Sequence, residues 1–178
     1  MKHFITSILL LNCYLLHAQT QLGADIDGEA AGDYSGWSVS MNSAGDRVAI
    51  GAHLNDGTGN NAGHVRVYEY SNSSWTQLGS DIDSEAAEDL SGWSVSMNSA
   101  GDRVAIGAKY NDGTSGDSDD NRGHVRVYAY SSGSWTQLGS DIDGEAAEDY
   151  SGNVSMNSAG DRVAIGAPRN DGTAGSAG

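Results

Sequence analysis

The stretch SGWSVSMNSAGDRVAIGA at residues 35–52 returns unchanged at residues 91–108, and a copy one residue shorter, SGNVSMNSAGDRVAIGA, fills residues 151–167. Identity over that length makes the repeat the constraint on any fold, because each copy must form the same supersecondary unit and bury the same faces. The QLG tripeptides at Gln21, Gln77 and Gln137 set spacings of 56 and 60 residues, dividing the chain into repeats at 21–76, 77–136 and an incomplete 137–178. The four extra residues lie between NDG and GHVRVY of the second copy, in a Gly/Asp/Ser-rich segment, which marks a surface loop. The third copy stops inside the same loop.

Within a repeat, short alternating runs are separated by Gly, Asn, Asp and Ser, and no run has a sustained helical period. Alternation places Trp37, Val39 and Met41 on one face of a first strand, and Val48 and Ile50 on one face of a second from Arg47 to Gly51. The NSAGD between them supplies turn chemistry, with Gly45 free to take positive φ, so the pair reads as a hairpin. A third strand follows in HVRVYEY from His64, and a fourth in WTQLG from Trp75. Four short antiparallel strands per repeat fit one blade of a β-propeller, so the expected fold is all-β, a partial propeller with about two complete repeats and part of a third. A sandwich would not need near-identical units, and a solenoid uses shorter ones.

Residues 1–18, MKHFITSILLLNCYLLHA, carry Lys2, an apolar run too short for a membrane span, and a small residue before polar Gln19. That is the layout of a secretory signal peptide cleaved after Ala18, leaving a mature segment at 19–178 that is secreted or on the cell surface, with no insertion in a membrane. Cys13 is the only cysteine, so the mature chain has no disulfide and no thiolate chemistry. The formal charge of −15 becomes one unit more negative when Lys2 leaves, which excludes nucleic acid as a partner.

These residues resemble the FG-GAP repeats of the propeller head of integrin alpha subunits and of many secreted bacterial proteins. The GAP element stands as Gly51-Ala52-His53, Gly107-Ala108-Lys109 and Gly166-Ala167-Pro168, and Ser35-Gly36-Trp37 stands near the aromatic-glycine element. The resemblance implies a propeller, an exterior location, and binding or adhesion. It also implies a calcium motif between the first two strands, which this chain lacks: NSAGD offers one carboxylate where calcium takes six to eight oxygens.

For chemistry, the triplets Asp25-Ile26-Asp27, Asp81-Ile82-Asp83 and Asp141-Ile142-Asp143, with Glu29, Glu85 and Glu145 just beyond, have the look of metal ligands and are explained equally well as strand ends with the isoleucine inside and both aspartates in solvent. The best local cation candidates are Asp117, Asp119, Asp120 and Asn121 of the inserted loop, where Arg122 stands ready to neutralise them. No metal site or cofactor is assigned, and calcium at that loop is kept open. His64 and His124 open the same strand in successive copies, which marks them as structural; no G-x-S-x-G or other nucleophile motif is present. Trp37 and Trp93 are expected in blade packing and Trp75 and Trp135 on outer strands. The third copy lacks the tryptophan and has Asn153 in the place of Ser38, so its blade is expected to pack less well.

The sequence therefore reads as a non-catalytic binding or adhesion scaffold for a protein or glycan at the cell exterior, able to self-associate through open sheet edges. The rival readings are the non-catalytic part of a larger propeller enzyme and a purely structural surface array.

Overall fold

The computed structural model describes residues 20–113, 117–172 and 178. The signal-peptide expectation falls on residues 1–18, outside that range. Among the described residues all regular structure is β, and no helix is long and apolar enough to cross a membrane.

The first repeat forms β1 (Ser38–Met41), β2 (Arg47–Ala52), β3 (His64–Ser71) and β4 (Ser74–Gln77), an antiparallel meander in that order. A short β5 (Ile82–Asp83) returns to pair with the start of β3. The second repeat gives β6 (Ser91–Met97), β7 (Arg103–Ala108), β8 (His124–Ser131), β9 (Ser134–Gln137) and β10 (Ile142–Asp143) in the same arrangement. Among the described residues the third contributes the inner hairpin, β11 (Asn153–Met156) and β12 (Val163–Gly166). This is a partial β-propeller, with strands close to those the alternation predicts.

The outer strand differs from the expected WTQLG run. It comes in two pieces, because Gly79 takes φ 79° and Gln77 Nε2 donates to Asp81 Oδ1 at 2.5 Å, so the chain steps out and then rejoins β3 at Ile82. Local side-chain bonding has overridden the strand there.

The inner turn forms for a reason repeated three times. The Asn42 side-chain oxygen accepts the N–H groups of Asp46 and Arg47 at 3.1 and 3.0 Å, its amide donates to Asp46 Oδ1 at 2.7 Å, and Gly45 takes φ 74°. Asn98 and Asn157 do the same. One asparagine thus satisfies the turn's backbone, as Asx turns do.

The core lies between blades. Ala49, Val65, Val67 and Ile82 of the first sheet meet Val95, Met97, Val104, Ile106 and Tyr128 of the second, and most are fully buried. The approach is closest at the inner strands: a Cβ added at Gly51 would overlap the Gly92 carbonyl, and one added at Gly107 would overlap the Gly152 carbonyl. Gly166, at the same position of the third repeat, would meet nothing nearer than Asn153 Cβ at 3.4 Å. Overpacking a tight contact costs about 1–3 kcal/mol, so Gly107→Ala is expected to lower unfolding free energy by roughly that amount. Gly166→Ala should change it by less than about 0.5 kcal/mol in dilute solution. Urea denaturation of the two variants makes the comparison, and equal losses would contradict the interblade contact.

Candidate functional site

The first two inner strands are entered through the same tight turn, and the third shares its left-handed first residue. Tyr34, Leu90 and Tyr150 take φ 55°, 57° and 52°, and Tyr34 and Leu90 accept the N–H of Trp37 and Trp93 at 3.0 and 3.1 Å. A non-glycine residue held there costs on the order of 1 kcal/mol, a strain typical of functional turns. The turns place aromatic rings at one end of the stack, beside the residue that follows each GA of β2 and β7.

A row results. Trp37 packs on Trp93 with ring centroids 5.2 Å apart, and His53 sits between them at 4.4 Å from Trp37 and 5.3 Å from Trp93. Lys109, at the position of His53 one repeat on, holds its Nζ 4.3 Å from the Trp93 ring and 5.4 Å from Tyr150. Arg169 also lies over Tyr150, at 4.6 Å. Sequence reasoning placed Trp37 inside the packing; the structure leaves it 50 % exposed, with neighbouring Tyr34 at 59 %. Trp75 and Trp135 are half-buried on the outer strands, where their indole N–H groups donate to the carbonyls of Leu22 and Leu78 at 2.9 and 2.8 Å.

The row combines open π-faces with two cations, which suits a ring ligand with polar substituents. His53 is buried within it, and its Nδ1 has no hydrogen-bond partner among the described residues.

The inserted loop separates its candidate ligands. Asp120 is buried and turned onto Arg122, with Nη2 2.7 Å from Oδ2 and Nε 3.1 Å from Oδ1, and this bond raises the Arg122 pKa further. Asp117 Oδ1 accepts the Asp119 N–H at 3.1 Å, and both residues are on the solvent side. Asn121, at φ 48°, donates its N–H to Asp112 and its side-chain amide to the Asp119 carbonyl at 2.9 and 3.0 Å. The loop's cation demand is met at Asp120 by an arginine.

The structure joins groups that the sequence reading kept apart. His64 Nδ1 lies 3.7 Å from Asp81 Oδ2 and 3.8 Å from Glu29 Oε2, and Glu85, His124 and Asp141 repeat the cluster, their ligand-type atoms within 4.8 Å of one another. By residue type these trios could hold a metal ion. Arginine already stands beside each: Arg66 is 3.6 Å from Glu29 and Arg126 is 3.5 Å from Glu85. Burial, then neighbouring carboxylates, pushes Asp83 and Glu85 up, while burial and Arg126 push His124 down. The signal available in sequence was the fixed offset between each His and the D-I-D triplet; what it lacked was the return of β5 and β10 onto β3 and β8. Also missed were Asp33, Asp89 and Asp149, which are buried and cap the N–H groups of Ala30, Ala86 and Ala146.

Burial lowers the His53 pKa below its ordinary 6.5, so the folded state favours the neutral ring. Its contribution to stability is complete above pH 6.5 and is lost as the pH falls through that value toward the lowered one. Between pH 7 and pH 5 the denaturation midpoint of the wild type should therefore fall more steeply than that of His53→Phe, as guanidinium titrations at each pH would measure. Parallel slopes would exclude His53 as the source.

Residues 21–68 match the family model described as FG-GAP repeat. No curated protein matches the chain. The matched stretch runs from the segment before β1 into β3, and its inner hairpin recurs at residues 91–108 and 151–167. The family model and the blade built from its stretch agree: the chain carries an FG-GAP repeat at residues 21–68 and repeats its inner hairpin twice more.

Proposed function

We propose that this β-propeller-type scaffold is a non-catalytic binding or adhesion module of the cell exterior, and that its ligand, a glycan or a protein, is received on the row from Trp37 to Arg169. The observation that carries the reading is the half-exposed Trp37 in line with Trp93, Lys109 and Tyr150 across three repeats. Sugar rings stack on such faces, and the cations select polar or acidic substituents. The exterior location rests on the signal-peptide pattern of residues 1–18. The excess of acids over bases disfavours nucleic acid.

A glycan array and a cell-surface protein panel, probed with the exported chain, test the reading. Trp37→Ala and Lys109→Ala should each weaken binding about tenfold, since one aromatic or cation–π contact is worth about 1 kcal/mol or somewhat more. Binding indifferent to both substitutions would remove the row from the site, and no binding at all would favour a spacer.

The proposal includes no tight calcium site. Titration calorimetry is expected to show no micromolar binding; a site abolished by Asp119→Ala would instead make the inserted loop functional.

A further inference from the structure

Two buried histidines each face a pair of carboxylates brought in from separate segments of the chain. In the first repeat His64, which opens β3 and is 2 % exposed, points its Nδ1 at Asp81 Oδ2 from 3.7 Å and at Glu29 Oε2 from 3.8 Å. Glu29 lies before β1, and Asp81 lies in the step between β4 and β5. In the second repeat His124, Glu85 and Asp141 stand at the same positions, with ligand-type atoms within 4.8 Å of one another, and His124 is 1 % exposed.

The gaps at His64 are too long for hydrogen bonds, so the carboxylates surround its Nδ1 without pairing with it. The His124 Nε2 also has no hydrogen-bond partner among the described residues. A buried polar nitrogen left in this way costs stability. The spacing suits a shared ion instead. Ligands about 2.0–2.2 Å from a tetrahedral zinc ion lie roughly 3.3–3.6 Å from one another, so a small closure of His64, Asp81 and Glu29 completes such a shell.

The carboxylates are also oriented in the way that metal ligands are. Asp81 Oδ1 accepts the Gln77 amide at 2.5 Å, which turns Oδ2 to His64, and Asp141 Oδ1 accepts the Gln137 amide at 2.7 Å. Glu29 gives its Oε1 to Arg66, 3.6 Å from Nη1, and its Oε2 to the histidine, with the Asn55 amide 3.4 Å from the same Oε2. Arg126 stands 3.5 Å from Glu85 Oε1. Both arginines are themselves fixed on linker carbonyls, those of Asp27 and Asp83, at 3.0 and 2.9 Å. Partners of this kind, one layer out, set the direction and basicity of metal ligands.

We infer that each trio binds a divalent transition-metal ion, and that zinc is the ion its donors suit best. One imidazole nitrogen and two carboxylate oxygens supply three positions and leave a fourth to water. The imidazole favours zinc over calcium and magnesium, which take oxygen ligands. Each ion ties the segment before an inner strand and the step after the outer strand to the third strand of the same blade.

Titration calorimetry of the exported chain with zinc chloride tests the inference. The wild type should take two zinc ions per chain in the micromolar range. Asp81→Asn and Asp141→Asn should each leave one, and the double variant none in that range. Gln77→Ala, which removes only the bond that holds Asp81, should weaken one of the two ions by about 10- to 100-fold. Should an aspartate variant lose its β circular dichroism, Glu29→Gln and Glu85→Gln, at largely exposed positions, make the same test. A wild type that binds no zinc at micromolar concentrations overturns the inference. So does zinc bound equally by the wild type and the double variant, which would place the ion on solvent-facing carboxylates elsewhere.

Discussion

Backbone meets backbone where successive repeats touch. Gly51 lies against Gly92 and Gly107 against Gly152, with no room for a β-carbon, and that spacing sets everything beside it. It brings serine hydroxyls within 2.7–2.9 Å of the neighbour's backbone, so Gly92, Met97, Val154 and Met156 have backbone groups satisfied without a ladder partner. A buried backbone group left unpaired costs about 1–3 kcal/mol, comparable to the burial of a whole aliphatic side chain. The serine of SVSM is therefore as much a packing residue as the valine. Because every copy must present both faces, neither alternating position can drift, which gives a physical reason for the long identical stretch.

Farther from the axis, electrostatics ties the linkers to the sheets. Arg66 Nη2 donates to the Asp27 carbonyl at 3.0 Å and Arg126 Nη2 to the Asp83 carbonyl at 2.9 Å, which places each linker over the β-strand that carries the arginine. The associated ion pairs, at 3.5–3.8 Å, involve glutamates that are nearly half exposed, where solvent screens most of the attraction. The buried aspartates contribute more specifically, because hydrogen bonds to a carboxylate are stronger than neutral ones. Asp33 holds both the Ala30 N–H and the Asn55 amide, linking the segment before β1 to the NDG turn after β2. Inner contacts thus fix the distance between blades, and the outer network fixes the path of the connecting chain.

This division explains which parts could be read from the sequence. The strands were legible because alternation has one meaning when short runs are separated by turn residues, and the asparagine-glycine turn acts within five residues of itself. Faces were harder. Alternation at Val39 and Ser40 suggests one buried side and one wet side, but in a stack of blades both sides are interfaces: at the second repeat Val95 and Met97 are buried and Ser94 and Ser96 are half-buried rather than wet. The site was legible only in its parts. Trp37, Trp93 and the histidines stood out as residue types, yet Trp37 and His53 meet because β1 and β2 are antiparallel, and Lys109 meets Trp93 for the same reason one repeat later. The His–carboxylate trios needed the outer strand to break at Gly79, an event decided by one glutamine–aspartate bond that no periodicity announces.

The shortened third copy shows how one residue controls the row. In the second repeat the pairing of β6 with β7 slips between Ser91 and Ser94, a bulge that accommodates Gly92 and Trp93 and turns the indole out of the ladder. The third repeat is one residue shorter at this point: β11 starts at Asn153 in continuous register with Gly166, and Gly152 shifts to φ 154° from the 83° of Gly92. Losing the bulge removes the tryptophan but leaves the interblade bonds of Val154 and Met156 intact, since those lie beyond it along the strand. The vacancy in the row falls beside Tyr150, which keeps the positive φ of Tyr34 and Leu90, and its ring centroid lies 5.4 Å from the Lys109 Nζ and 4.6 Å from the Arg169 guanidinium carbon. Blade stacking and the composition of the exposed end are therefore set by separate residues of the same inner strand. A repeat can change what it shows to a ligand without changing how it seats on its neighbour.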